Sequence, residues 1–148
     1  MSRTAAREVA LTIIYEISFN AADPADVAVL RLTDDGLAGV AADLKAARSL
    51  TDADKMYITD TVNRAVLHAA DYDDIIDELA KDWPTERIAR ITRAILHLAL
   101  TEINHIEDVP HGTAIDQAVE LAKRYDSDKA PAFVNGILGA YVRGGFRG

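Results

Sequence analysis

A chain of 148 residues, 49% of them hydrophobic, suits one compact domain with a real core. It has no cysteine, which excludes disulfides and thiolate metal sites and fits a reducing cytoplasm; no apolar run approaches the ~20 residues that span a bilayer, and the N-terminus lacks the pattern of a secretory signal. The net charge of −8 argues at first sight against nucleic acid, but the excess is local: residues 21 to 82 hold fourteen acids and six bases, whereas from Leu121 onward five bases face two acids.

Helical periodicity recurs along the chain and strand alternation does not, so the expectation is an all-α fold, a compact bundle of six or seven helices. The first helix buries Ala6, Val9, Ala10, Ile13 and Ile17 and turns Arg3 and Arg7, four apart, outward. Asp23 and Pro24 read as cap and first residue of a second helix through Leu32. Thr51 with Asp54 makes a capping box ahead of Ile58, Val62, Ala65, Val66 and Ala69. A short acidic helix follows from Asp71 to Asp82. Trp83 and Pro84 end it, and Thr85 caps a segment from Ile88 to Ile106 that is apolar on nearly all sides and therefore central.

Val109 and Pro110 break that helix. Ile115, Ala118, Val119 and Ala122 then form the inner stripe of a surface helix. Ser127 or Asp128 is positioned to cap the last helix, with Pro131 in its first turn and Val134, Ile137, Leu138 and Tyr141 as its buried stripe; Phe133 and Asn135 fall off it. Gly136 lies inside this helix although glycine costs about 1 kcal/mol there, which points to close packing or to a ligand. Residues 143–148, RGGFRG, read as a flexible tail with one RGG unit.

Catalytic and metal chemistry is not legible. The four histidines, His68, His97, His105 and His111, form no ligand pair with a carboxylate cluster. Asp52 to Asn63 offers oxygens at calcium-like spacing, but Tyr57 stands where such a loop needs glycine. The acids from Asp71 to Glu78 read as a solvated face. No glycine-rich phosphate loop follows a strand, and no nucleophile sits beside a base, so neither an enzyme nor a cofactor is expected.

Two regions carry residue types suited to RNA: Arg3, Arg7 and Tyr15 in the first helix, and Lys129, Phe133 and Asn135 near the start of the last. Arginine neutralises phosphate, an exposed ring stacks on an unpaired base, and an amide reads a base edge. On the residues alone, Phe133 and Tyr15 read better as core residues at the margins of their stripes than as stacking rings, and Asn135 better as a cap for a neighbouring helix than as a reader of bases.

The pieces ARE (Ala6 to Glu8) and Tyr15, IARITRAILHLALTEI (Ile88 to Ile103), DVP (Asp108 to Pro110), AIDQAVELAKRY (Ala114 to Tyr125) and PAFVNGIL (Pro131 to Leu138) resemble, in order and spacing, the NusB family of bacterial transcription antitermination factors. The resemblance spans nearly the whole chain. It implies two three-helix-like halves packed together in a single RNA-binding domain, and assigns the six residues above to RNA. It further implies binding of a single-stranded boxA-type element in ribosomal RNA leaders as a heterodimer with NusE, the tenth small-subunit ribosomal protein, within an antitermination complex that helps RNA polymerase read through terminators. The NusE-facing surface would draw on Thr92, Glu102, His111 and Asp116. Family members occur as monomers and homodimers, and the stripes leave that choice open.

The chain departs from the family in its N-terminal arginine cluster, which is reduced to Arg3 and Arg7 and diluted by Glu8. Two further readings therefore stand beside the first. One is a helical adaptor of the same fold with weak or lost RNA recognition. The other is a relative of the NusB-like domain of some ribosomal RNA cytosine methyltransferases, for which the chain lacks a methyl-donor-binding domain.

Overall fold

Helices form where apolar residues recur at helical spacing, and their ends fall where side chains or proline redirect the backbone. The computed structural model describes residues 3–18, 51–81, 83 and 88–144. The expected helix from Asp23 to Leu32, the Thr85 cap and the last four residues of the tail lie outside them. All regular structure among the described residues is helical, and no described helix is long and apolar enough to cross a membrane. The chain divides into two compact units, Met1–Leu67 and His68–Gly148.

In the first unit, α1 (Arg3–Ile17) packs on α2 (Asp52–Leu67). The capping box at the head of α2 is reciprocal: the Asp54 amide donates to Thr51 Oγ1 at 3.1 Å, and the Thr51 amide donates to Asp54 Oδ2 at 3.0 Å. Two of the donors that a helix start leaves unpaired are thereby satisfied. Tyr57, Ile58, Thr61, Val62 and Ala65 make the inner face of α2. Helix α2 stops at Leu67, so Ala69, expected in it, instead begins the next helix.

The second unit contains α3 (Ala69–Ala80), α4 (Arg90–His105), α5 (His111–Tyr125) and α6 (Ala130–Val142). Helix α4 packs against all three of the others. That position explains its composition: Ile95, Leu96, Leu98 and Leu100 are at most 1% exposed, each contributing about 1.5 to 3 kcal/mol of burial. Helices α5 and α6 also pack on one another, and α3 touches α6.

The breaks follow local chemistry. Ile106, in extended conformation, caps α4, and Pro110 is the extended residue before α5, its carbonyl accepting the first helical bond from the Ala114 amide at 3.0 Å. The N-cap of α6 is Lys129, with no side-chain cap; the expected caps Ser127 and Asp128 precede it. The reason is that Asp126 captures the Ser127 amide at 2.7 Å, and the Ser127 carbonyl accepts the Ala130 amide at 3.1 Å, so the chain enters α6 through a backbone turn. Gly144, at φ 82°, closes α6 in the left-handed conformation that glycine reaches at least cost, donating to the Tyr141 carbonyl at 3.0 Å.

Candidate nucleic-acid interface

Helix α1 corrects one expectation. Arg7 was expected on an outward face, yet it is 5% exposed. A single inner stripe does not describe this helix: Leu11 and Ile14, which continue the row of Arg7, are buried as well, as is Glu8. Arg3, at the first residue of the helix, remains partly exposed and lays its guanidinium over the Tyr57 ring, 4.4 Å from the centroid. Tyr15 is also partly exposed. The first unit thus offers Arg3 and Tyr15 to solvent, and Arg7 belongs to its interior.

The second unit presents its candidates on α6. Lys129 and Asn135 are exposed, and Phe133 is partly exposed. At about 100° per residue, Phe133 and Asn135 lie about 160° apart around the axis. Val134, Ile137 and Leu138 are fully buried on the opposite side of the helix, so the two flank the solvent-facing arc. The residues between them on that arc are small: Ala132, Gly136 and Gly139. Phe133 is held from outside the helix by Trp83, whose ring meets it edge to face with centroids 5.2 Å apart and planes at 83°. The same indole resolves the question of Gly136, because a methyl group there would overlap Trp83 Cζ2.

Of the four residues assigned to a partner, two are inside. Thr92 is 5% exposed and its hydroxyl donates to Asp126 Oδ2, tying α4 to the turn after α5; Glu102 is 1% exposed. Both sit on the helix that packs on three neighbours, which turns side chains at those positions inward. His111 and Asp116 are exposed on α5. They remain available to a partner.

Elsewhere the second unit is knit by charge. Asp73 on α3 accepts from His97 Nε2 at 2.8 Å and Arg93 Nη1 at 3.1 Å, and Arg93 Nη2 donates to Asp77 at 2.7 Å. Burial opposes ionisation of Asp73, but His97 and Arg93 outweigh it and hold the carboxyl below its ordinary range. Burial likewise opposes charge on Arg93, and Asp77 and Asp73 override it and raise its pKa. His68 and His105 stack in parallel with centroids 4.8 Å apart. Among the described residues no group of three histidines or carboxylates is placed to hold a metal ion.

Residues 4–143 match the sequence profile of the NusB family. The chain belongs to the NusB family. Similar NusB proteins include the transcription antitermination protein NusB of Alkaliphilus oremlandii, 38% identical over 96% of this chain and 94% of its own, and that of Symbiobacterium thermophilum, 38% identical over 97% and 91%. Among solved structures, the chain resembles T. maritima NusB with a TM-score of 0.72 at 23% identity, covering 97% of this chain and 92% of that one. It also resembles a chain of the crystal structure of antitermination factors NusB and NusE in complex with double-stranded RNA, with a TM-score of 0.73 at 25% identity over 95% and 96% of the two chains. The helical NusB fold is therefore shared along nearly the whole sequence.

Two features of the α6 face escaped sequence reasoning. Trp83 was legible only as a helix stop, because a contact fifty positions away in sequence has no local signature; the glycine inside α6 was the one hint that something bulky approaches. Arg143 was read as part of a tail, yet it closes α6, and its guanidinium lies over Gly139, with Nη1 2.9 Å from where a methyl group there would stand.

Proposed function

We propose that this chain is a transcription antitermination factor that binds single-stranded boxA-type RNA of ribosomal RNA leaders as a heterodimer with NusE, and so helps RNA polymerase read through terminators. The observation that carries this reading is the match to the NusB family from residue 4 to 143, which takes in every residue assigned to RNA except Arg3. The exposure of Lys129 and Asn135 and the partial exposure of Phe133 on one helix support it, since a cation, a ring and an amide supply phosphate contact, stacking and base-edge hydrogen bonding. Arg3 and Tyr15 supply a second cation and ring on α1. His111 and Asp116 are the side chains of the expected partner surface that face solvent.

Burial of Arg7 favours one competing reading, the helical adaptor without RNA recognition, because it removes a cation from an already thin set. A titration separates the two. The protein, alone and with NusE, is titrated with boxA-type RNA and with a scrambled sequence at two salt concentrations. Preference for boxA that strengthens with NusE supports the antitermination factor; NusE binding with equal affinity for both RNAs supports the adaptor and overturns the RNA reading.

A further inference from the structure

The solvent-facing arc of α6 contains two glycines one turn apart, and each has a planar side chain laid against it. Trp83 brings Cζ2 and Cη2 of its indole onto Gly136, so closely that a β-carbon there would overlap the ring. Arg143 brings its guanidinium onto Gly139, with Nη1, Cζ and Nη2 at 2.9, 3.7 and 3.8 Å from the position a β-carbon would take. Both side chains remain open to solvent: the indole is 36% exposed, and Arg143 is exposed. Phe133 stands edge to face with the indole at the border of the same arc.

Glycine inside a helix is unfavourable unless its missing side chain makes room for something, and here each makes room for a flat, π-bearing group. Packing alone would be served by burying those groups, as α4 buries its leucines. Instead the indole keeps over a third of its surface in water, beside a second partly exposed ring. Unpaired bases are held by stacking on aromatic faces and on guanidinium planes, and such stacks are additive along a single strand.

We propose that Trp83 and Arg143, seated on Gly136 and Gly139, are part of the RNA-reading surface and extend Phe133 into a row of planar groups for successive unpaired bases. The inference rests on the reading of the chain as a binder of single-stranded RNA. It assigns Trp83 two tasks: its edge contact fixes the ring of Phe133, which lowers the ordering cost of stacking a base there, and its exposed surface contributes a stacking contact of its own. Arg143 adds a plane and a charge together, a combination lysine lacks.

The chain has a single tryptophan, so its own fluorescence reports on the site. Boxa-type RNA and a scrambled sequence are titrated into the full-length protein with NusE present, following indole emission and, separately, affinity. The wild type is expected to show emission quenched by boxA RNA. Trp83→Leu should lose about tenfold in affinity for boxA, as expected for one stacked base, and little for the scrambled sequence. Gly136→Ala keeps the indole but displaces it, and should lower boxA affinity while the helical content stays unchanged. Arg143→Lys should weaken boxA binding with the salt dependence preserved, because the charge is kept and the plane is lost.

A wild type that prefers boxA yet shows unchanged indole emission, with Trp83→Leu and Gly136→Ala binding as tightly as it does, overturns this inference and leaves the RNA reading standing. A wild type with no preference for boxA overturns both.

Discussion

The hydroxyl of Thr92, on α4, donates to the carboxylate of Asp126, which caps α5 and through its other oxygen accepts the Ser127 amide at 2.7 Å. One aspartate thus fixes the end of α5, its attachment to the central helix and the entry into α6, the helix that carries Lys129, Phe133 and Asn135. The candidate interface on α6 is positioned from behind by a hydrogen bond invisible from its surface.

Thr92→Val keeps the shape of the side chain and removes the donor, and should destabilise the protein by about 1 to 2 kcal/mol, the cost of leaving a partly buried carboxylate oxygen without its partner. Chemical denaturation measures it. Because Thr92 is buried, NusE binding by the folded variant should be unchanged.

Arg7→Ala should act on the fold and not on the salt dependence of RNA binding. A buried arginine contributes packing along its stem and contacts at its head, so a loss of about 1 to 3 kcal/mol in stability is expected. Arg3→Ala should do the reverse, weakening boxA and scrambled RNA alike with a shallower salt slope and little change in melting temperature. Paired melting curves and salt titrations of the two variants check the assignment.

Thr51→Ala should cost about 1 kcal/mol by removing the acceptor for the Asp54 amide at the head of α2. Thermal unfolding would register this as a drop of a few degrees.

Asp73 gives a signed pH dependence. Its carboxyl is held below its ordinary value of 3.8, so the folded state binds its proton less readily than the unfolded chain. The resulting stability is present above that ordinary value and is lost as pH falls through the still lower folded value. Asp73→Asn should therefore be less stable than the wild type near neutral pH by about 0.5 kcal/mol, a modest figure because the side chain is 43% exposed and screened by water. The difference between the two proteins should shrink in acid below pH 3.8.

Much of this was legible in the sequence. The capping box at Thr51, the all-round apolar character of α4, the break at Pro110 and, apart from the partly exposed Tyr141, the inner stripe of α6 are local patterns, each set by residues within two turns of one another. What failed was wherever a helix packs on more than one side. Arg7 is a polar residue on a helix buried around most of its circumference, where a periodicity argument assigns every polar residue to the outside; Thr92 and Glu102, assigned to a partner by the family resemblance, lie buried on the helix that packs on three neighbours. The Ser127 or Asp128 cap failed because Asp126 competes for the same turn. Trp83 and Arg143 were passed over because their contacts run to glycines, which leave no hydrophobic pattern to read.

The exposed face of α6 is the surface proposed to meet RNA. Amide chemical shifts of the protein bound to NusE, followed as boxA-type RNA is added, test it directly. Saturable shifts at Lys129, Phe133 and Asn135, reduced with scrambled RNA, are the predicted result. Shifts absent from α6, or equal for both RNAs, would contradict it.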